Sequence, residues 1–576
     1  MKKLSITMTL LAVCFSTALW ATPKKAVLAI QPQKIFRKVV RAVGLYTPIS
    51  LVLEEESQAG VPLRLDVSDQ QKPRLKLDKS IINKANEMGT KGESLLAFLI
   101  GHQVAFYYQE LSSKPIFFPT NSKDNSIEDV IDADQYGMIY AHMAGYAMVD
   151  DFVDFLDIVY HNYHKEKGAI YQLRKERAEK NKQELRKFFL IFETATYLSM
   201  INENFDVSCL YNHIAQKYGG KTIYNNAGVN QFQLLLEKLT KEGINPDFYY
   251  PVTLDINPQT RGDVGAANRI TVESIYQKSL GYFEKTIKAD PYYIPAYLNL
   301  ACLHSLKAEY GRMPGSGSSG KMTDTLLTQA QARALLKKAQ VNNQKAKDLL
   351  QKLTDQASLY ANVATNTKVV AAIITFLENP KANRAQAKQM LLPLRTHKKD
   401  FVDLNLRVLE RRPPGEFVNL EKTCGATEQI AGIALDNKKQ RGKHLGNADQ
   451  QYLEGTAKAN LVVVLCKNRG IRIYLEEMPG YHAKKIVYVA QGRMVYFLKT
   501  LDGYQGTTSC PPSIKLKESY EKIKKGYGEP RQKRNGTLTS VGYTFKTYLG
   551  KKIIFQLDPQ FNLDSWMIYE IVDKNN

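Results

Sequence analysis

The stretch LLAFLIGHQVAFYYQE, residues 95–110, decides how the first part of the chain is read. Leu95, Leu99, His102 and Phe106 fall at steps of four, three and four, so they share one face of a helix. His102 follows Gly101 at the end of an apolar run, which is the frame of a helix that presents zinc ligands. In such a helix two His four residues apart reach one ion, and a Glu between them takes a proton from the bound water. Here Gln103 stands in the place of the Glu and Phe106 in the place of the second His. A neutral amide does not accept a proton near neutral pH, and a phenyl ring has no lone pair for a metal.

Upstream, Lys2 and Lys3 precede an apolar run, with small residues at Ala18 and Ala21. This is the pattern of a secretory signal peptide over residues 1–21. Val13 is too bulky for a lipoprotein site at Cys14. Downstream no stretch holds eighteen continuous apolar residues, so no integral membrane span is expected. The mature chain is expected to be soluble and periplasmic or otherwise extracytoplasmic. Its 576 residues suffice for three or four domains at roughly 150 residues each. Five cysteines remain beyond Cys14: Cys209, Cys302, Cys424, Cys466 and Cys510. They form no CxxC pair; Cys424–Cys510 is one candidate bridge, and Cys302 and Cys466 sit in apolar runs as core thiols do.

Lys and Arg number 79 against 57 Asp and Glu, a net charge of +22. For an exported chain this points to contact with an anionic envelope surface and away from nucleic acid. The basic runs are 173–187, 436–444 and 522–534. The first mixes Glu among its Lys and Arg, as a solvated helix face does, and holds no aromatic residue to stack bases.

Composition and patterning divide the chain. Residues 22–187 mix short strands with strong helices. Residues 188–410 read as helical hairpins. FETATYLSMINENFDVSCLYNHIAQKYGGKTIYNNAGVNQF (192–232) and YFEKTIKADPYYIPAYLNLACLHSL (282–306) resemble tetratricopeptide repeats, the second with Asp290-Pro291 at the turn and Ala296, Asn299 and Ala301 on the next helix. A weaker echo lies at 358–373. The segment 313–324 places Gly315, Gly320 and Lys321 almost as a phosphate-binding loop does. Met322 replaces the required hydroxyl and no strand precedes it, so it reads as a Gly/Ser linker. Beyond 410 the pattern turns to strands. Residues 411–494 and 495–576 align without a gap at an offset of 82, matching Gly446 with Gly528, Leu461 with Tyr543, Ile471 with Ile553, Ile473 with Phe555, Leu475 with Leu557 and Ile486 with Ile568. Two α+β units, each with about three antiparallel strands, are expected to present the same face to a core. The fold class is multidomain: mainly α in the N-terminal and middle parts, α+β with duplicated antiparallel units at the C-terminus.

The run around His102, taken with DVIDADQYGMIYAHMAGY (129–146), resembles the gluzincin metallopeptidases of the CAAX-prenyl-protease and HtpX type, in particular the BepA-like members with tetratricopeptide repeats. That resemblance covers about residues 50–165 and implies a zincin-like helical core. It gives His102 the place of the first zinc His and Phe106 that of the second. Gln103 takes the place of the base and Val130 that of the third ligand. Asp134 takes the place of the carboxylate that orients a zinc-binding His. Base and two of three ligands are therefore missing. The resemblance also supplies a His102–Asp134 hydrogen bond as an expectation.

A weaker alternative metal site is Asp157 with His161 and His164, along one face of DFVDFLDIVYHNYH (151–164). The expectation that follows is a catalytically inactive, metallopeptidase-like protein without cofactor. It would bind a protein or peptide partner in envelope assembly or quality control. The alternatives are an active zinc endopeptidase with a displaced ligand set and a structural envelope protein.

Overall fold

The computed structural model describes residues 29–573 apart from 45–48, 56–59, 69–72, 110–116, 119–125, 147, 202, 218–220, 255–270, 313–326, 354–360, 398–399, 412–426, 437–448, 466–469, 491–492, 502, 529–538, 541–543 and 558–561. The expected signal peptide, the segment 313–324, and Cys14, Cys424 and Cys466 lie outside the described residues. The N-terminal and middle parts are mainly α and the C-terminal part is α+β. The chain divides into two compact units, Met1–Val39 with Ile49–Ala178, and Val40–Pro48 with Glu179–Asn576. Among the described residues no helix is long and apolar enough to cross a membrane.

The first unit takes the start of α1 (Pro32–Val43) and a three-stranded sheet of β1 (Ser50–Glu54), β2 (Leu63–Asp66) and β3 (Arg74–Asp78). The order is β1-β3-β2, with β3 parallel to β1 and antiparallel to β2. Leu75 and Leu77 alternate with Lys76, which puts both leucines on the buried side of the pleat. Asp78 closes β3 and caps α2 (Lys79–Met88): its carboxylate accepts the Ser80 N–H at 2.9 Å, satisfying a donor the first helical turn leaves open. Then come α3 (Thr90–Gln109), α4 (Ser126–Met143), α5 (Phe152–Asn162) and the start of α6 (Ala169–Met200). α3 and α4 meet backbone to backbone. A Cβ on Gly101 would stand 3.0 Å from the Gly137 carbonyl oxygen, and a Cβ on Gly137 3.0 Å from the His102 nitrogen. This close approach sets His102 against the middle of α4.

The second unit continues α6 and adds α7 (Asn204–Lys217), α8 (Lys221–Lys241), the two-residue strand β4 (Thr253–Leu254), α9 (Val272–Ala289), α10 (Ile294–Tyr310), α11 (Gln329–Gln351), α12 (Ala361–Glu378), α13 (Arg384–Leu391) and α14 (Asp400–Leu409). Asp290 makes the turn between α9 and α10, its carboxylate accepting the Tyr292 N–H at 2.9 Å. Ala296, Asn299 and Ala301 are all buried on α10, as the repeat-like spacing predicts. One apolar core runs through α8 to α14.

The C-terminal sheet joins both strand triplets into one antiparallel sheet. Its strands are β5 (Leu461–Leu465), β6 (Ile471–Met478), β7 (Ala483–Ala490), β8 (Arg493–Thr500), β10 (Thr544–Tyr548), β11 (Ile553–Leu557) and β12 (Leu563–Asp573), in the order β10-β11-β12-β8-β7-β6-β5. α15 (Asp449–Glu454) leads into β5, and α16 (Tyr520–Tyr527) precedes β9 (Thr539–Ser540), which pairs in parallel with β4. Gly528 ends α16 at φ +74°; its aligned Gly446 lies outside the described residues.

Two expectations about the aligned triplets are corrected here. First, the gapless register fails across the second hairpin. Leu475 pairs with Ile486, but Ile568 pairs with Ile553, four residues from the Leu557 that the offset gives. Second, the triplets do not present aligned residues to the same face. β7 and β12 are both antiparallel to β8, so they run in one direction, while the order outward from β8 is mirrored. Only a half-turn about the strand direction relates two such triplets, and that turn flips the sheet. Ile553, Phe555 and Leu557 accordingly join a core with Tyr474, Tyr496, Tyr452 of α15 and Tyr527 of α16. Ile473 lies on the opposite face, in line with Tyr488 and Val495. On that face the Phe497 ring meets Tyr197 of α6 at 5.6 Å. β7 and β8 are apolar on both faces: Val487 and Tyr496 join the core with Phe555, and Tyr488 and Val495 are buried on the other side.

Cys510 is disulfide-bonded, with its partner outside the described residues; Cys209 and Cys302 take part in no disulfide. Cys302 is fully buried, and burial pushes its thiol pKa well up.

Candidate functional site

The stripe on α3 is built as its spacing predicts. Leu95, Leu99, His102 and Phe106 are all buried, and so is Gln103. The imidazole of His102 stands among phenylalanine rings: Phe98 at 5.8 Å, Phe106 at 5.3 Å and Phe117 at 4.9 Å between centroids. Val130 is fully buried on α4. The Gln103 side-chain nitrogen lies 3.4 Å from His102 Nδ1, and Gln103 Oε1 has no partner among the described residues. Burial pushes the His102 pKa well below its ordinary value, and the charge of Arg174 pushes the same way. The imidazole is therefore neutral at physiological pH.

Asp134 does not close the expected bond to His102. The two approach to 3.4 Å at Nε2 and Oδ1, but His102 Nε2 has no hydrogen-bond partner among the described residues. Asp134 is held instead by Arg174 of α6. Nε donates to Oδ2 and Nη2 to Oδ1, both at 2.7 Å. Arg174 Nη1 donates to the Phe117 carbonyl at 2.9 Å, and the guanidinium lies over the Phe117 ring at 4.7 Å. Both partners are buried. Burial pushes the Asp134 carboxyl up, and the charge and hydrogen bonds of Arg174 oppose it. Burial alone would push Arg174 down, but Asp134 holds it above its ordinary value. Two short charge-assisted bonds in fork geometry make this an ion pair.

Arg174 belongs to the basic run 173–187, whose expected role was a solvated face. For this residue that expectation fails. Tyr171 and Arg174, three apart, both face inward while their charged neighbours Lys175, Glu176 and Arg177 do not. A position one turn from a buried Tyr was the available sign.

These residues do not fit a zinc ion. Phe106 and Val130 offer no lone pair, Gln103 no base, and His102 is a single neutral ligand. The shared carboxylate oxygen keeps a guanidinium nitrogen close to His102 Nε2. The guanidinium neutralises the Asp134 carboxylate near His102, so the pair offers no net negative charge to a cation.

Of the alternative set, Asp157 is committed elsewhere. Asp157 accepts hydrogen bonds from Lys167 and from Tyr171 Oη, the latter at 2.6 Å. His161 is exposed on α5, and His164 lies past the helix end at φ +50°. Among the described residues no group of three or more His, Cys, Asp or Glu side chains is arranged to hold a metal ion.

In the second unit a different set of buried polar groups converges. Asn225, Asn299, Asn366 and Asn405 are each fully buried, on α8, α10, α12 and α14. All four hydrogen-bond the segment that ends in β4. Sequence reading singled out Asn299 as part of a repeat-like helix and missed the other three. Comparison with protein families, characterised proteins and solved structures finds no match to this chain.

Proposed function

We propose that this is an exported, catalytically silent relative of the gluzincin peptidases that acts in the cell envelope by binding other polypeptides. The observation that carries the reading is the buried Arg174–Asp134 pair beside a neutral His102. The carboxylate that would orient a zinc ligand is spent on a fixed positive charge, and apolar side chains stand at two ligand positions. Binding through the helical part draws support from the buried asparagines, which hold peptide main chain. The disulfide at Cys510 suits an oxidising compartment.

The test is casein cleavage by the purified full chain, with and without added zinc, beside a pull-down from envelope extract. The expected result is no chelator-sensitive cleavage and a retained polypeptide partner. Chelator-sensitive cleavage would favour the active zinc endopeptidase. Absence of both cleavage and partner would favour the structural envelope protein.

A further inference from the structure

The strand β5, Leu461-Val462-Val463-Val464-Leu465, is one edge of the seven-stranded sheet, and among the described residues it pairs with β6 alone. An edge strand carries a row of main-chain N–H and C=O groups without a neighbour, and proteins guard such edges with charge, proline or a bulge. The opposite edge, β10, carries Lys546, whose ammonium lies over the Tyr520 ring at 5.1 Å. β5 holds no charged residue and no proline, and its pairing with β6 runs through all five residues without a shift. Val463 and Leu465 are buried, on the face that holds Ile473 and Ile471. Val462 and Val464 point to the other face and are 37% and 59% exposed. On that face α15 covers β6: Tyr452 meets the Tyr474 ring at 5.0 Å, and Arg472 Nη1 donates to the Leu453 carbonyl at 3.1 Å. The two valines stand beside Tyr474 and Arg472, their cross-strand partners, with their outer sides in solvent.

We propose that β5 pairs with β5 of a second copy of this chain, antiparallel about Val463, and so makes one continuous sheet across a two-fold axis. The sequence identifies the occupant, because LVVVL reads the same in both directions. Centred on Val463, the pairing sets Leu461 against the second copy's Leu465, Val462 against its Val464, and Val463 against its own counterpart. Every match joins residues an even number of positions apart. Facing side chains therefore lie on one side of the sheet, and outward main-chain groups meet outward main-chain groups, as an antiparallel ladder requires. The exposed valines of each copy then cover those of the other, and within the ladder no charge is brought opposite its like. A contact of one patch with itself closes at two chains, since each copy uses up its own edge. Five residues make a short ladder, so the dimer is weak and depends on concentration. The inference stands apart from the silent-peptidase reading, and neither falls with the other.

The test is the mass of the full chain by sedimentation equilibrium across a micromolar concentration series. The wild type is expected to pass from one chain to two as concentration rises. The double variant Val462→Lys, Val464→Lys sets lysine opposite lysine twice in this register and should weaken dimerisation about tenfold or more. The double variant Val462→Lys, Val464→Glu sets lysine opposite glutamate twice and should dimerise nearly as the wild type does. Both change solvent-exposed side chains, so the fold is expected to hold. Val463→Cys should cross-link two chains under mild oxidation, because residue 463 meets its own counterpart at a spacing a disulfide can bridge; Val464→Cys should not. A wild type that stays a single chain throughout, that grows past two chains, or whose dimer the two lysines leave intact overturns the proposal. So does a lysine–glutamate variant that dimerises no better than the lysine–lysine one, or cross-linking through Val464→Cys in preference to Val463→Cys.

Discussion

Asp134 and Arg174 in the first unit, and Asn299 and Asn405 in the second, are all buried polar side chains on helices. The first two face each other. Their charges cancel, their hydrogen bonds are used on each other and on Phe117, and the arrangement leaves no charge over for a ligand. The asparagines face a segment of backbone and carry no charge to cancel. Ionic groups close a site because each buried charge demands one fixed counter-charge. Neutral amides need no counter-charge, because a peptide unit supplies both the donor and the acceptor they require.

Breaking the ionic pair should have the largest effect. Arg174→Met leaves Asp134 buried beside a neutral imidazole, and the first unit should lose about 3–5 kcal/mol at neutral pH. The double variant Arg174→Met, Asp134→Leu should recover most of it. Urea titration followed by circular dichroism checks both; a single variant as stable as wild type would show that the pair is not the closure described.

The carboxylate among the amides gives the next effect. Burial pushes the Glu309 carboxyl up to about 7 from its ordinary 4.5. A carboxyl with a folded pKa above its unfolded one stabilises the fold in its protonated form. That contribution is complete below the unfolded value and is lost as pH rises through about 7. The second unit should therefore be less stable at pH 8 than at pH 5, by on the order of 2–3 kcal/mol. Glu309→Gln should flatten the profile. Trp566 is buried in the second unit and is the one tryptophan beyond residue 21, so its fluorescence reports this unfolding.

The amide clamps come third. Asn405→Ala removes the amide that bonds both the Tyr249 N–H and its carbonyl and should cost about 1–3 kcal/mol; Asn366→Ala, whose bonds to the Pro251 carbonyl and the Thr253 hydroxyl are longer at 3.4 and 3.3 Å, should cost less. Equal losses in the same Trp566-monitored titration would blur the distinction between a clamp and an ordinary buried amide.

Much of the helical framework is legible in the sequence. The steps from Leu95 to Phe106 give a buried face, and Asp290-Pro291 gives a turn, because both depend on local spacing alone. Three features are not legible, for physical reasons. Arg174 looks like its neighbours in a charged run, and its burial is set by Asp134, forty residues away in sequence. Residues 247–254 have no periodicity because helices distant in sequence hold them. The reversed facing of Ile473 and Phe555 depends on the two triplets joining at β8, and strand order is not written in either triplet. The buried face with His102, Gln103 and Phe106 was thus legible, and the Arg174–Asp134 pair beside it was hidden.

The most direct test of the central claim is the zinc content of the full chain after dialysis against micromolar zinc, measured by elemental analysis beside His102→Ala. The closed site predicts well under one zinc per chain and no change in the variant. One zinc per chain, lost in His102→Ala, would contradict it.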